Sequence, residues 1–484
     1  MPITPITPTG PSAPNTLTPD AAGTISAPNT LTPDSAGTIA APNTISADAA
    51  GTIAAPNTLS AGAAGTVAVP NTLTADAVGA IAVPATLASV TPAALPRTLT
   101  PLVDLNFADG LYSQSGTPKS FSNLLTFTRA SSATFINRVV KATGGYNYFV
   151  DNALTNVLRV EYDYQTGENL GALIEGPSTN LALYSEQLDN AAWTAQDGAA
   201  VTANAIVSPD LTTSADKIDF STNIDGIVAQ SVAATASPTG TFTFSIWLKA
   251  DSPQVIIIRI GNNINSQSSI NVTTDWKKFE VTGTGTGSQS VSSPQLRNSS
   301  ASAKTVYAWG AQYEELPFAT SYIKTEGAAV SRSSDDLSLL AAGNFNVSEY
   351  SLTVDFNHKL NNNIVAYLYS INDNSGLNRI INLINVNNSL KVFSSVAGVS
   401  TTFDGGQILD DKKNTAVTTF KNNKLEGFLN SSSIGSNLVT AVQSFTLLTV
   451  NIGSRYNNIE NINGHISRFT TYDKALTAQE ISLL

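Results

Sequence analysis

Cysteine is absent from the 484 residues of the chain. The protein therefore has no disulfide framework and no thiolate ligand for a metal ion, so its stability must come from packing or from oligomerisation. Histidine is scarce as well, with only two residues, His358 and His465. Each stands beside the alternating residues of an expected strand, so we expect both to have a structural or surface role rather than to act as a general base.

Basic residues and long apolar runs are also scarce. Lys and Arg number 25 against 36 Asp and Glu, a net charge of −11, and this acidity argues against nucleic-acid binding. The apolar run VIII at 255–258 has only the length of a strand, whereas a membrane-spanning helix needs about 18 residues. The N-terminal MPITPITPTGPSAP lacks the basic and apolar regions of a secretory signal. We expect no nucleic-acid partner, no membrane insertion and no such signal.

Adjacent carboxylates occur in three places, but none has the arrangement of a glycosidase site. The pairs are Glu314 with Glu315, Asp335 with Asp336, and Asp410 with Asp411. Sequence neighbours on a strand point to opposite faces, so such a pair cannot flank one glycosidic bond. We expect no enzymatic activity and assign no catalytic residue. A hydrolase assembled from distant carboxylates stays open.

The first hundred residues repeat one pattern, which begins APNTLTPDAAGTIS at Ala13. Large aliphatic residues follow one another at alternate spacings of eight and six, and even spacings suit an extended chain with one apolar face. Pro-Asn and Asp-Ala-Ala-Gly are typical turn segments. Proline returns every fourteen residues, at Pro14, Pro28, Pro42, Pro56, Pro70 and Pro84. The pattern predicts extended repeats, and helix is not expected.

Each repeat carries too little apolar surface to offset the entropy of ordering it alone. The copies must bury one another, either by stacking within one chain, as in a solenoid, or by winding several chains around one axis. The repeat resembles the triple β-spiral shafts of viral fibres, although its length and pattern differ. Because symmetric oligomers close thin apolar seams, we favour winding and predict a homotrimer. Composition alone would also allow a disordered linker.

From Phe107 onward the sequence has short alternating runs separated by Gly and Asn clusters. In TFTFSIWLKA (241–250) Thr243, Ser245 and Trp247 alternate with apolar residues, which is the pattern of a half-buried antiparallel strand. We predict an all-β protein in which the repeats precede two β-sandwich domains of jelly-roll type. The predicted boundaries are 1–101 for a repeat stalk or anchor, 102–178 for a β-rich connecting region, 179–332 for a jelly-roll and 333–484 for a second sandwich.

Three segments stand out in order: FTRASSATFIN (127–137), RVEYDYQTGENLGALIEGPSTNLALYSEQLDNAAWT (159–194) and YAWGAQYEELPFATSYIKTEG (307–327). Together they resemble a block of tail-fibre and head-spike proteins of tailed bacteriophages. The resemblance implies that 179–332 is similar to carbohydrate-binding jelly-rolls.

The C-terminal NGHISRFTTYDKALTAQEI (463–481) is similar to the closing motif of laminin-G-like, concanavalin-type sandwiches, a strand followed by a short helix. Ile466 and Phe469 are expected in the core of that sandwich. Thr477 and Glu480 have the spacing of a capping box, which predicts the start of the helix.

A glycan site needs an aromatic ring to stack on sugar C–H faces and planar polar groups to bind hydroxyls. Trp247 is the candidate platform because the alternation places it with Thr243 and Ser245 on a polar face; the alternative is an aromatic covered by a loop or by a neighbouring subunit. No metal ligand or cofactor is assigned, and SINDNSGLN (370–378) is interpreted as a hairpin turn, with a structural calcium ion left open. A second candidate group lies in the C-terminal sandwich: Tyr367, Tyr369, Asn372, Asp373 and Arg379.

These observations favour a virion fibre or spike on the particle surface. The resemblance implies that the N-terminal repeats form a stalk or an anchor to other virion structural proteins. The β-domains would then bind host-surface polysaccharide. We prefer a tail fibre to a head fibre. The alternatives are a capsid fibre or a purely structural decoration protein and, after these, a polysaccharide-depolymerising tailspike.

Overall fold

The computed structural model describes residues 99–484 and, within the repeats, the backbone of eight short strands between 24 and 82. The chain divides into two units, Met1–Leu99 and Thr100–Leu484. Within the second unit the description leaves out 142–145, 222–224, 234–238, 288–290, 301, 360–363, 374–376, 440–446 and 456–459.

The strands of the repeats form two parallel sheets, β1-β2-β4-β6-β8 and β3-β5-β7. Their bounds are β1 Thr24–Ser26, β2 Thr38–Ala40, β3 Ile45–Ala47, β4 Thr52–Ala54, β5 Leu59–Ala61, β6 Thr66–Ala68, β7 Leu73–Ala75 and β8 Ala80–Ala82. Equivalent residues of successive repeats are partners, as with Ile25 and Ile39, and Ile39 and Ile53. The backbone therefore shows stacking within one chain, the solenoid alternative that the sequence analysis placed second. Winding of several chains stays a prediction.

The second unit begins with strands that serve the C-terminal sandwich. The elements up to the jelly-roll are β9 Val103–Asn106, β10 Leu111–Gln114, β11 Thr117–Lys119, α1 Phe121–Leu124, β12 Thr126–Thr128, β13 Ala133–Val140, β14 Tyr146–Ala153, β15 Val160–Tyr162, β16 Asn169–Ile174 and β17 Ser178–Asn180. β9 and β16 pair with the last strand of the chain, and β12 joins the opposite sheet. The predicted connecting region 102–178 is corrected accordingly, because most of its strands complete the C-terminal sandwich.

The jelly-roll is inserted between the two parts of that sandwich. Its strands are β18 Trp193–Gln196, β19 Ala199–Ile206, β20 Ala215–Phe220, β21 Gly226–Gln230, β22 Val232–Ala233, β23 Thr241–Lys249, β24 Gln254–Asn262, β25 Ser266–Val272, β26 Lys277–Thr284, β27 Val291–Asn298 and β28 Lys304–Glu314, followed by β29 Val330–Arg332. One sheet has the order β18-β21-β27-β24-β25, with β22 on β27, and the other has the order β19-β20-β28-β23-β26. Phe244, Ile258 and Leu296 fill the core between them.

The C-terminal sandwich contains β30 Asp336–Leu340, β31 Tyr350–Asn357, β32 Ala366–Asn372, β33 Arg379–Ile384, β34 Ser389–Val396, β35 Val399–Gln407, β36 Lys413–Lys421, β37 Lys424–Leu429, β38 Ser432–Leu438, β39 Thr449–Ile452, β40 Gly464–Tyr472 and α2 Ala478–Ile481. Its sheets have the orders β11-β10-β9-β40-β31-β36-β37-β38 and β12-β30-β39-β32-β33-β34-β35. The predicted all-β class with two sandwiches is confirmed. Ile466 and Phe469 are buried, and Thr477 and Glu480 form the predicted capping box.

A fully buried ion cluster connects the segments on both sides of the jelly-roll. Asp335 binds Arg129 at 3.1 Å and Arg159 at 2.5 Å, and Arg159 also binds Glu175 at 2.8 Å. Arg332 lies 3.5 Å from Glu175. Buried charges are tolerated only when they are paired and hydrogen-bonded, and each of these five side chains has an oppositely charged partner within the cluster. The cluster fixes the base of the jelly-roll to the strands around it.

The hairpin β13–β14 lies over the jelly-roll sheet that contains β23. The two strands pair only with each other, from Ala133 opposite Ala153 to Val140 opposite Tyr146. The Thr134 hydroxyl donates to the Tyr322 carbonyl at 2.6 Å, and the Val150 amide donates to the Pro209 carbonyl at 2.8 Å. These bonds hold the hairpin against the outer face of the jelly-roll.

Candidate functional site

A cavity of about 290 Å³ lies between the jelly-roll, the hairpin β13–β14 and the C-terminal sandwich. This is at the small end of the roughly 300–1,000 Å³ of small-molecule sites. Its apolar wall includes Ile136, Val150, Tyr164 and Trp247. Polar side chains from the jelly-roll and from the segments of the C-terminal sandwich also face it: Glu161, Asp163, Lys278, Asn357, Asp411, Asn463 and His465. An apolar wall with a few convergent polar groups is the usual composition of a ligand site.

Trp247 lines this cavity, but the prediction that it lies on an exposed face is wrong. Its side chain is 5% exposed and belongs to a buried aromatic cluster with Trp276, Trp309 and Tyr322. The Tyr164 ring meets it edge-on at 4.8 Å. The alternation along β23 is as predicted, but the hairpin and the segment 316–322 cover the second face of the sheet. Trp247 therefore supports the wall of the cavity and cannot act as an open stacking platform.

Thr243 and Ser245 share that covered face and are both fully buried. The Thr243 hydroxyl donates to the Leu316 carbonyl at 2.8 Å and lies 2.8 Å from the Thr282 hydroxyl. The Ser245 hydroxyl is buried without a hydrogen-bond partner among the described atoms. Neither residue lines the cavity. Their expected exposure beside Trp247 is corrected, because β23 lies between β26 and β28 with both faces packed.

The second predicted group does not form one surface. A β-bulge between Tyr367 and Tyr369 places the two rings in different clusters, Tyr369 in the main core and Tyr367 with Ile381 on the other face. Three further members of the group are placed as follows: Asn372 is fully buried and donates to Asn451 at 3.1 Å, Asp373 accepts from Asn378 at 2.6 Å, and Arg379 lies over the Phe393 ring at 4.9 Å. The prediction assumed a regular alternation along the strand and missed the bulge, which moves the side chains that follow it to the opposite face of the sheet.

Glu161 and His465 form the polar centre of the cavity. Glu161 Oε2 lies 2.7 Å from His465 Nε2, and its Oε1 accepts from the Ile136 amide at 2.7 Å. The two side chains come together because β16 pairs with both β15 and β40. The Lys278 ammonium donates to the Thr320 carbonyl at 2.6 Å on another wall. The pair leaves lone pairs and N–H groups that can bind sugar hydroxyls.

Glu175 is the cavity carboxyl that is most deeply embedded in charges. Burial disfavours its ionised form, but Arg332 and Arg159 outweigh burial and hold its pKa well below the usual range. Ser321 adds two hydrogen bonds of 2.7 Å, from its amide and from its hydroxyl. A carboxyl kept ionised in this way cannot serve as the proton donor of glycoside cleavage.

The other histidine, His358, lies outside this site and has the structural role that the sequence predicts. It is 2% exposed, and its Nδ1 lies 2.8 Å from the Ile462 carbonyl. Burial lowers its pKa to about 4, so the ring is neutral near pH 7.

A groove of about 370 Å³ adjoins the cavity, and Tyr164 lines both. Tyr146, Tyr148 and Trp276 also line the groove. Tyr146 is 39% exposed, so part of its side chain is accessible to solvent. Burial and the charge of Asp275 raise the pKa of Tyr164, which therefore keeps its hydroxyl proton. Sequence reasoning considered only tryptophans as platforms in the jelly-roll, and it placed its candidate tyrosines, Tyr367 and Tyr369, in the C-terminal sandwich. The alternation in YNYF, at 146–149, is the signal that could have identified Tyr146 and Tyr148.

The described part of the second unit contains neither a cluster of metal ligands nor a membrane-spanning helix. No group of three or more His, Asp or Glu side chains there is arranged to hold a metal ion. Its helices are four residues each, and none is long and apolar enough to cross a membrane.

Neither a family model nor a curated protein matches the chain. Solved structures are similar over part of it. The CBM40 of Ruminococcus gnavus IT-sialidase bound to α2,3-sialyllactose shares 16% identity over 29% of this chain and 86% of its own, with a TM-score of 0.26. Domain 4 of AbnA, a GH43 extracellular arabinanase from Geobacillus stearothermophilus, shares 13% sequence identity over 34% of this chain and 80% of its own, with a TM-score of 0.25. The SAP-like pentraxin of Limulus polyphemus shares 14% sequence identity over 28% of this chain and 69% of its own, with a TM-score of 0.23. Likeness at this level carries no argument about the ligand.

Proposed function

We propose that this chain is a virion fibre or spike protein whose β-domains bind host-surface polysaccharide at the cavity and the adjoining groove. The observation that carries the binding proposal is the row of exposed Tyr146 and half-buried Tyr148 and Tyr164 along the groove, beside the polar pair Glu161–His465. Aromatic rings bind the C–H faces of sugars, and carboxylate, imidazole and amide groups bind their hydroxyls.

Binding without cleavage is the mode that the site favours. Glu175 is held ionised by arginines, and Glu161 is paired with His465. A glycosidase needs one carboxyl that can donate a proton and a second one across the scissile bond. We therefore propose a receptor-binding rather than a depolymerising protein.

The proposal of a particle-bound fibre rests on the repeats and on the three segments that resemble bacteriophage fibres and spikes. Those segments meet in space at the ion cluster: Arg129 comes from the first, Arg159 and Glu175 from the second, and Ser321 from the third. They thus form one structural unit beneath the site. A homotrimer would present three copies of a weak site, and multivalency would convert weak single-site affinity into firm attachment. A tail fibre is preferred to a head fibre.

The test is a glycan array probed with the full chain, with Tyr164→Ala as the variant and Tyr164→Phe as its control. Stacking on one aromatic ring contributes about 0.5–1.5 kcal/mol, so we expect Tyr164→Ala to bind about three- to tenfold more weakly and Tyr164→Phe to bind nearly as the wild type. Reducing-sugar release measured in the same samples would identify a depolymerase. A folded chain that binds no glycan would overturn the proposal in favour of structural decoration.

Light scattering of the full chain tests the oligomer. We expect the mass of a trimer. A folded monomer would remove the basis for a multi-chain stalk and leave the single-chain solenoid.

A further inference from the structure

The groove carries a local excess of positive charge in an acidic protein. Lys141 and Lys249 line it, and the carboxylate of Asp275 is the acidic group that lines it with them. The chain as a whole has a net charge of −11. Because of that overall charge, an anionic ligand would be repelled at long range and needs local cations at its binding site.

The two lysines are available to a ligand. In the part of the chain that the structure describes, neither Lys141 nor Lys249 forms an ion pair, whereas Lys217 and Lys424 pair with Asp219 and Glu426. Lys141 is exposed at the end of the hairpin, and Lys249 is half-buried at the end of β23. Their ammonium groups therefore stand beside the groove without an ion-pair partner among the described residues.

Arg138 does not line the groove, but it packs against Tyr146, one of the groove's aromatic residues. Its guanidinium carbon lies 4.2 Å from the centre of the Tyr146 ring and 4.4 Å from that of Tyr162. Such cation–π contacts fix the orientation of the rings while the guanidinium N–H groups stay free to donate. Arg138 is exposed and forms no ion pair among the described residues.

Trp276 completes the floor of the groove. Its indole N–H donates to the Val207 carbonyl at 3.1 Å, and its carbonyl accepts from the Gln165 side chain at 2.9 Å. The polar atoms of Trp276 are thus engaged, so it offers the groove an apolar ring. The groove therefore combines aromatic surface with unpaired cations.

We propose that the groove binds a carboxylate-bearing sugar residue of the polysaccharide, with Lys141 and Lys249 pairing to the carboxylate and Tyr146 contacting the sugar ring. This inference rests on the proposed function and specifies its ligand as an acidic glycan. Charge complementarity makes the groove prefer an acidic sugar residue to a neutral one. The neutral neighbouring residue of the glycan extends past Tyr164 into the cavity.

The experiment uses the full chain and an array of uronate oligosaccharides, each printed beside its carboxyl methyl ester. The ester keeps the sugar ring and removes the charge. We expect the wild type to bind the free acid about tenfold more tightly than the ester at low salt, as two partly exposed ion pairs allow. The double substitution Lys141→Gln with Lys249→Gln should abolish that preference, and Lys119→Gln, at an exposed lysine away from the groove, should keep it. Raising the salt to about 0.5 M should reduce the preference, because exposed charges are screened.

Each other outcome is decisive. Equal binding of acid and ester would overturn the acidic-sugar inference while leaving glycan binding intact. A preference that survives the double substitution would overturn the assignment to these lysines. No binding of any oligosaccharide on a wider glycan array by a folded chain would overturn the proposed function itself.

Discussion

Replacing Asp335 by Asn removes one charge from the buried cluster and tests what that cluster contributes. Asn has the same size as Asp, but the substitution leaves Glu175 alone with three arginines, Arg129, Arg159 and Arg332. The Asp335 carboxylate also accepts from the Glu175 amide at 2.8 Å. Breaking a buried ion pair from one side costs about 3–5 kcal/mol, because the other charge stays buried without compensation.

This loss of unfolding free energy corresponds to a measurable decrease in Tm. The entropy of unfolding is about 2.1 cal/mol/K per residue, which gives roughly 0.8 kcal/mol/K for the unit of about 385 residues from Thr100 to Leu484. A loss of about 4 kcal/mol would then lower Tm by about 5 °C. We expect the jelly-roll and the C-terminal sandwich to lose stability together, since Asp335 binds strands of the sandwich and segments at the base of the jelly-roll.

Differential scanning calorimetry would measure this, and tryptophan fluorescence would follow the jelly-roll, which contains all four tryptophans. The control is Asp197→Asn, the same chemical change at an exposed residue with φ of 52°, a conformation that Asn also adopts. It should shift unfolding by less than about 0.5 kcal/mol. A Tm for Asp335→Asn within about 1 °C of the wild type would refute the reasoning that this charge is needed in the cluster.

Three further predictions concern the C-terminal sandwich and its contacts. Burial lowers the pKa of His358 from 6.5 to about 4, so the unfolded chain binds more protons between these pH values and stability should fall by up to about 3 kcal/mol as the pH drops through them. His358→Asn keeps a donor for the backbone and should flatten this slope in denaturant titrations at several pH values, and an unchanged slope would contradict the assignment. Gly171→Ala would place a Cβ 2.5 Å from the Ile466 carbonyl oxygen at φ of 90°, whereas Gly110, at φ of 68°, has open space around it. We expect Gly171→Ala to lower the free energy of unfolding by more than about 3 kcal/mol and Gly110→Ala to lower it by about 1 kcal/mol. Equal losses would show that β16 can shift. Thr477→Ala should cost about 1 kcal/mol and speed amide exchange in α2, whose capping box it removes; unchanged exchange there would mean that packing alone holds the helix.

Several local features follow from the sequence because they depend on neighbours in the chain. The fourteen-residue step predicts repeated extended segments, and the strands pair one repeat apart. The spacing of Thr477 and Glu480 predicts the cap of α2. The alternation along 241–250 predicts both the strand and the set of residues on each of its faces. In each case the geometry of a few bonds along the backbone fixes the outcome.

The candidate site depended on contacts that no local pattern contains. Whether the polar face of β23 meets water was decided by the hairpin β13–β14, which lies a hundred residues away in the chain and covers Trp247. The bulge beside Tyr367 reversed the facing of the residues that follow it and separated the predicted group. Glu161 and His465 are 304 positions apart, and only the pairing of β15, β16 and β40 brings them together.

The sequence by itself determined the all-β class, the repeat period, the absence of thiol chemistry and the acidic charge, since these are properties of composition and of short-range periodicity. The tertiary structure alone decided that most strands of 102–178 complete the C-terminal sandwich and that Tyr146, and not Trp247, is exposed. The solvent exposure of a strand's side chains depends on which other elements pack on that strand. Strand pairing over hundreds of residues is set by the shared core and not by the pattern within either strand.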